Sequence, residues 1–391
     1  MPPLQSGTDL ARRAADLRRV IRDASRGLVE RDALVELVAL AAVAREHVLV
    51  IGPPGTAKSE AVRRIARGLG GRYFEYLVGR FTEPSEIFGP ISLRKLKDGL
   101  VETETDGMLP EAELAFLDEV FQGSTAILNT LLGILNERMF VRGHSRRTCP
   151  LRVCVGAANV LPNDEVLAAF ADRFLVRAFV EPVPEPQLEE LLEAGWLRPA
   201  LGAAGSISDL DALGEAVDRV DVEAARPHLA DALRLLRGAG LTLSDRRAVR
   251  VQRLMAAAAL LDGRTTAAPG DLWPIVFVVP TADGQKIARD VLRERLARSE
   301  SGTLPAAALE ASQGPRARAI RVIEAGRLLL GERPGAGDMD AQQVWRLRLE
   351  SVAREIDSIF APEELPEELK ALRTDVATIL APGNTPQPAS P

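Results

Sequence analysis

His47-Val48-Leu49-Val50-Ile51-Gly52-Pro53-Pro54-Gly55-Thr56-Ala57-Lys58-Ser59 is a short apolar run that empties into a loop rich in glycine and proline. Such a run, stopped by a turn signal, reads as a buried strand. Downstream, Ala61, Val62, Ile65, Ala66 and Leu69 fall on one helical face until Gly70-Gly71 ends it. A loop between a strand and a helix start aims backbone N–H groups at phosphate oxygens, with the helix dipole behind them. Gly52 to Ser59, with Glu60 next along, is then the phosphate-contacting segment. Lys58 neutralises phosphate charge, and the Ser59 hydroxyl ligates Mg2+. The common spacing has glycine just before the lysine. Here that position is Ala57, whose extra methyl is expected to crowd the phosphates or resist the backbone angle the loop requires. Taken alone, the loop also reads as an ordinary Gly-Pro turn.

A second element narrows the choice. Leu114-Ala115-Phe116-Leu117 is an apolar strand that ends in two adjacent carboxylates, Asp118 and Glu119. At a strand end beside the loop, Asp118 can hold Mg2+ through water while Glu119 polarises an attacking water. A solvated Asp-Glu turn is the plainer alternative, and the two elements together, in this order, argue against it. Between and beyond them, helix-spaced apolar residues alternate with β-prone runs at Tyr73–Val78 and Leu151–Val155, and a hairpin is expected around Gly143. Alternating strands and helices predict a parallel sheet covered on both faces. Prolines at 182, 184 and 186 mark a hinge, after which the pattern is helical. Trp345, Leu349, Val352, Ile356 and Ile359 make one apolar stripe, expected to pack within the C-terminal region or on the preceding helices.

Composition sets the limits. The 391 residues are 46% hydrophobic, enough for two or three domains, and carry a net charge of −6, which argues against a chain devoted to nucleic-acid backbone. Cys149 and Cys154, the only cysteines, read as small apolar residues of a reducing compartment. No stretch approaches the roughly 18 apolar residues of a membrane span, so no membrane span and a cytoplasmic location are expected. Met1 to Arg22 lacks an apolar signal core, and its aspartates argue against a transit peptide.

These residues resemble the AAA+ ATPases, and within them the MoxR family, nearest its RavA branch. The resemblance rests on G-P-P-G-T-A-K-S at 52–59, R-F-T-E-P-S-E-I-F-G-P at 80–90, G-M-L-P-E-A-E-L-A-F-L-D-E at 107–119 and I-L-N-T-L-L-G-I-L-N-E-R at 127–138. It covers roughly residues 25–280, and the alanine before the lysine is itself a family feature. It implies an α/β AAA+ P-loop fold with an all-α lid and a helical C-terminal extension. The expected divisions are an N-terminal arm at 1–24, the nucleotide-binding domain at 25–184, the lid at 185–285, the extension at 286–381 and a disordered tail at 382–391.

The resemblance also implies roles. Asn159 matches the sensor 1 residue that orients the lytic water; as a plain reading, an asparagine after a strand favours a turn. Arg173, in Asp172-Arg173-Phe174, matches the arginine finger that reaches ATP on a neighbouring subunit. Arg246 takes the sensor 2 position after Ser244-Asp245 and is expected to touch phosphate in its own subunit, with Arg247 as the nearby rival. Residues 84–106 and 139–149 match inserts that family members turn towards a ring pore. The latter is basic through Arg142, His144, Arg146 and Arg147, and reads equally as a solvated turn. Arg80 is a candidate to restrain Glu119, and Gly27 to Arg31 resembles the segment beside the adenine. The implied function is Mg2+-dependent ATP hydrolysis in a homo-oligomeric ring, a hexamer, acting on a protein client with a von Willebrand factor A-domain partner. Two other readings compete: a nucleic-acid motor or transcription activator, for which no DNA-binding module is evident, and an ATP-binding module without turnover. A P-loop kinase or GTPase fits less well, since no guanine-reading Asn-Lys-x-Asp occurs.

Overall fold

Val48–Ile51 has a β-branched residue at three of its four positions and forms a fully buried strand, β1. The computed structural model describes residues 7–97, 100–142, 145–197, 205–313, 322–323, 326–335, 339–359 and 367–380. The expected tail and the hairpin turn at Gly143-His144 lie outside them. Helices α1 (Gly7–Ser25) and α2 (Asp32–Ala44) precede β1; α3 (Lys58–Leu69) and β2 (Tyr73–Leu77) follow it. Two short helices, α4 (Pro84–Phe88) and α5 (Leu93–Lys97), lead to β3 (Leu114–Asp118) and α6 (Thr125–Glu137). A hairpin of β4 (Met139–Arg142) and β5 (Ser145–Thr148) precedes β6 (Val153–Ala158), α7 (Glu165–Ala171) and β7 (Val176–Phe179).

The five long-range strands form one parallel sheet in the order β2-β3-β6-β1-β7. In β1, Val48 and Val50 enter one core and Leu49 and Ile51 another, because successive side chains face opposite ways. This double burial is why the strand reads as a continuous apolar run rather than an alternation. The first core also takes Ala14, Leu17, Val20, Ile21 and Ala24, so the helix at the expected arm packs as a core element. The second core gathers Ile87 and Phe88 of α4, Leu131 and Leu135 of α6, and Phe140 of the hairpin. Cys149 and Cys154 are both free and buried.

Strand β7 escapes the sequence reading because Arg177 sits in the middle of Val176–Phe179 and interrupts the apolar run. Its register with β1, Val48 opposite Val176, makes it an edge of the sheet.

Beyond the sheet, α8 (Leu188–Leu197), α9 (Ile207–Val217), α10 (Arg226–Gly238), α11 (Asp245–Leu261), α12 (Ile275–Val278), α13 (Ala282–Val291), α14 (Arg293–Leu296) and α15 (Pro305–Gln313) are helical. The last described helices are α16 (Met339–Ile359) and α17 (Glu367–Leu380). The chain divides into two compact units, Met1–Pro182 with Pro199–Ser312, and Val183–Arg198 with Gln313–Pro391. Residues 185–198 thus group with the C-terminal helices, and 286–312 group with the sheet. The second unit has its own core, in which Trp345, Leu349, Val352 and Ile356 of α16 meet Leu369, Leu372 and Val376 of α17. The expected stripe therefore packs within its own region. No described helix is long and apolar enough to cross a membrane.

Candidate active site

The loop leaves β1 at Gly52, where a Cβ would stand 2.1 Å from the Val180 carbonyl oxygen. Only glycine fits so close to the backbone that follows β7. Gly55 has φ +78, and Ala57 adopts the left-handed conformation at φ 58, ψ 25. An alanine there carries about 1–2 kcal/mol of strain. The first intrahelical bond of α3 is Ala61 N–H to Ala57 O at 3.1 Å. The N–H groups of Lys58, Ser59 and Glu60 therefore project from the helix start without an intrahelical carbonyl. Lys58 Nζ donates to the carbonyls of Gly52 at 2.6 Å and Pro53 at 3.0 Å. Burial lowers the Lys58 pKa, while Asp118 and Glu119 nearby oppose the shift.

Across the sheet, β3 delivers Asp118 and Glu119 at its end. Glu119 is also left-handed, at φ 50, and its N–H bonds Asp118 Oδ1 at 3.0 Å. Non-glycine residues held in this region cluster at sites that need a fixed side-chain direction. Asn159, one residue past β6, donates from Nδ2 to Glu119 Oε1 at 2.7 Å. Arg80, the expected restraint on Glu119, instead donates to Gln122 Oε1 at 3.3 Å. Its exposed side chain lies where the 3-10 turn after Glu119 offers an amide, leaving the carboxylate to Asn159. Lys58, Asp118, Glu119 and Asn159 are thus brought together at the C-terminal edge of the sheet.

Arg173 and Arg246 are at the other edge. Arg173 stands on the turn between α7 and β7, three residues before Val176, which is level with the first residue of β1. The loop begins after the last residue of β1, about 10 Å further along the strand direction. Arg246 donates from Nη2 to Asn136 Oδ1 at 2.6 Å, at the end of α6. Burial first, then Arg250 and Arg173, lower its pKa, so the two candidate arginines share one neighbourhood. Arg247 is only 2% exposed and spends its donors on Asp172 and on backbone carbonyls. Of the two rivals, Arg246 is the one turned outward.

The donor set fits a Mg2+-bound nucleoside triphosphate. Backbone N–H groups, one ammonium and a hydroxyl at a helix start meet polyanion chemistry, and Ser59 with Asp118 supplies the hard oxygen ligands Mg2+ prefers. The two inserts are tied to each other: Thr103 N–H bonds Ser145 Oγ at 3.1 Å, and Arg142 Nη1 bonds Gly89 O at 3.1 Å. Arg147 Nη1 bonds Thr105 Oγ1 at 2.8 Å and Glu111 Oε1 at 2.7 Å. Arg146 stays exposed, and His144 lies outside the described residues.

One structural contributor was missed. Arg31, 5% exposed, donates from Nε to Thr56 O at 2.7 Å and from Nη2 to Glu181 O at 2.7 Å. It staples the loop to the end of β7. The resemblance sets Gly27 to Arg31 beside the adenine, and nothing in an isolated arginine at a helix start marks it as a loop anchor.

Comparisons with known proteins show which family and fold the chain is similar to. Residues 15–248 match the family model described as the MoxR domain in the MoxR-vWA-beta-propeller ternary systems. The uncharacterized protein MJ0079 of Methanocaldococcus jannaschii is 36% identical over 259 residues, 66% of this chain and 68% of that one. Chaperone MoxR1 of Mycobacterium tuberculosis is 29% identical over 213 residues, 53% of this chain and 55% of that protein. A crystal structure from Cytophaga hutchinsonii, at 15% identity, superposes with TM-score 0.60 over 75% of this chain and 97% of its own, a likeness of fold.

Proposed function

The chain belongs to the MoxR family of AAA+ ATPases, and we propose that it hydrolyses ATP at sites shared between neighbouring subunits of a ring, most simply a hexamer. What carries the reading is the separation just described. Lys58, Asp118 and the bonded pair Glu119–Asn159 share one sheet edge, while Arg173 and Arg246 stand at the opposite edge. Hydrolysis needs both sets, and one subunit cannot bring its own arginines to its own loop. Stacking subunits edge to edge supplies them.

Each residue then has a task. Gly52 to Ser59, with Glu60, line the phosphates, and Lys58 faces the β- and γ-phosphate oxygens. Ser59 and Asp118 hold Mg2+, which when bound neutralises charge on the transferring phosphoryl group. Glu119, aimed by Asn159, accepts a hydrogen bond from the attacking water and takes its proton. Arg173 of the neighbour reaches the γ-phosphate, where such a group is worth about 10³–10⁵ in rate. Arg246 acts beside it on the neighbour's nucleotide rather than on its own.

The work served is remodelling or maturation of a protein client, in the cytoplasm, with a von Willebrand factor A-domain protein as partner. Support for the partner is the matched family's description, which sets its MoxR domains in MoxR-vWA-beta-propeller systems. A placement near the RavA branch rests on the resemblance of residues 52–59 and the 80–138 block.

Phosphate release by the wild type and Glu119→Gln tests the reading. The variant should bind ATP with unchanged affinity and turn over at least ~100-fold more slowly. A concentrated wild-type protein that binds ATP and releases no phosphate, with or without a partner, sinks it.

A further inference from the structure

We infer that Arg247 is the positioning residue for Arg173, fixing the turn that carries it to the helical lid so that lid and finger move as one piece. The inference rests on Arg173 acting on a neighbour's nucleotide, as proposed above, and adds how that arginine is aimed.

The turn from α7 to β7 is short, with Asp172 and Arg173 half-buried and Phe174 and Leu175 buried. Its own backbone bonds, Asp172 N–H to Ala168 O at 3.0 Å and Arg173 N–H to Phe170 O at 3.0 Å, tie it only to α7. Arg247 reaches it from the lid. Ser244 caps α11 and accepts from Arg247 N–H at 3.4 Å, which sets Arg247 in the first turn. From there its guanidinium brackets Arg173 on both sides. Nε donates to Asp172 Oδ1 at 2.5 Å, one residue before. Nη2 donates to Phe174 O at 3.0 Å and Nη1 to Leu175 O at 2.9 Å, one and two residues after. Nη1 also donates to Val278 O at 2.7 Å, on α12 of the lid.

A planar fork with five donors is the one side chain that can satisfy an anion and three carbonyls at once, and lysine cannot replace it. The Arg247 side chain is 3% exposed, so its guanidinium is shielded from water, while the Asp172 carboxylate at one end of the bracket is 34% exposed. Arg173 itself makes none of these contacts with Arg247. Its direction is set by the backbone on either side, which is gripped from a different element. Any displacement of α11 is thereby passed to the turn that carries Arg173.

Subunit mixing separates this role from plain stability. Arg247→Gln should keep ATP affinity within about threefold and lower turnover by roughly 100-fold, the cost of about 1 Å of misplacement. Its own loop and Glu119 are intact, so mixing it with Glu119→Gln subunits, which carry a sound Arg173, should restore phosphate release. Mixing it with Arg173→Ala subunits should not. Arg247→Lys should behave like Arg247→Gln. Should Arg247→Gln fail to fold, Asp172→Asn, which removes only the anion facing Nε, is carried through the same mixtures with the same expectation. Wild-type turnover in both variants overturns the inference, as does loss of turnover that Glu119→Gln subunits do not restore. The control mixture of Arg173→Ala with Glu119→Gln contains no change at Arg247. Its failure to recover activity overturns the shared-site reading itself.

Discussion

At residue 57 the loop tolerates a side chain that its backbone disfavours. Ala57 is left-handed at φ 58 and Gly55 at φ 78, so glycine at 57 would relieve strain of about 1–2 kcal/mol. Glycine also gains entropy in the unfolded chain, which takes back about 0.4–1 kcal/mol. Ala57→Gly should therefore leave stability unchanged or raise it by up to about 1.6 kcal/mol, with ATP binding intact, as thermal melts and titration calorimetry would show. Gly52 behaves oppositely. A Cβ there meets the Val180 carbonyl at 2.1 Å, and that oxygen belongs to backbone. Gly52→Ala must part β1 from the chain after β7 or shift the loop, and ATP affinity should fall by ~100-fold. Equal affinity in the two variants would show that the loop position is not set by this contact. Arg31 is the third determinant at this scale. Removing it leaves the carbonyl of buried Thr56 without its donor, at about 1–3 kcal/mol, while the carbonyl of exposed Glu181 can turn to water.

Among the elements, α2 and α15 are joined by a buried carboxylate. Glu36 Oε2 accepts from Ala307 N–H at 2.7 Å, at the start of α15, and the side chain is only 5% exposed. Burial pushes its pKa up from 4.5 to about 8, against the backbone N–H bonds of Ala307 and Ala306, which lower it. The folded value exceeds the unfolded one, so the stabilising contribution is full below pH 4.5 and is lost as pH rises through about 8. Glu36→Gln keeps an acceptor for Ala307 and cannot ionise. It should melt with the wild type near pH 5 and above it at pH 9, and parallel melting curves at both pH values would refute the linkage. Nothing in the sequence marks Glu36, because its environment is made by a helix some 270 residues away. The strands β1 and β3 are legible for the reverse reason: both are buried on two faces, so apolar runs and their terminal loop or carboxylates stand in a row. Strand β7 is illegible because a buried arginine breaks its pattern, and the partner that accommodates Arg177, the Ala171 carbonyl at 2.5 Å, lies outside the strand. Asn159 and Glu119 could be placed one by one in sequence, but their 2.7 Å bond follows from β6 lying beside β3, which only the sheet order reveals.

For the molecule as a whole, the decisive fact is where the two halves of the site stand. The loop and Glu119 follow the C-terminal ends of parallel strands, whereas Arg173 precedes the N-terminal end of one. If a neighbour supplies Arg173, as proposed, ATP binding and ATP turnover should depend differently on assembly. Binding draws on Gly52 to Ser59, Asp118 and the anchor Arg31, all within one chain. On the shared-site proposal, turnover draws on a second chain as well. Specific phosphate release should therefore fall steeply as the protein is diluted through its association range, while the ATP dissociation constant stays flat. Added salt should act in the same direction, since Arg173 and Arg246 present charge to a facing polyanion and long-range attraction is screened within about 8 Å at physiological ionic strength. Phosphate-release rates and sedimentation measured over one dilution series give the comparison. If activity per subunit stays constant into the range where sedimentation shows only monomer, each chain completes its own site and the two sheet edges do not cooperate. If activity and the sedimenting oligomer vanish together while ATP remains bound, the neighbour is a chemical component of the site.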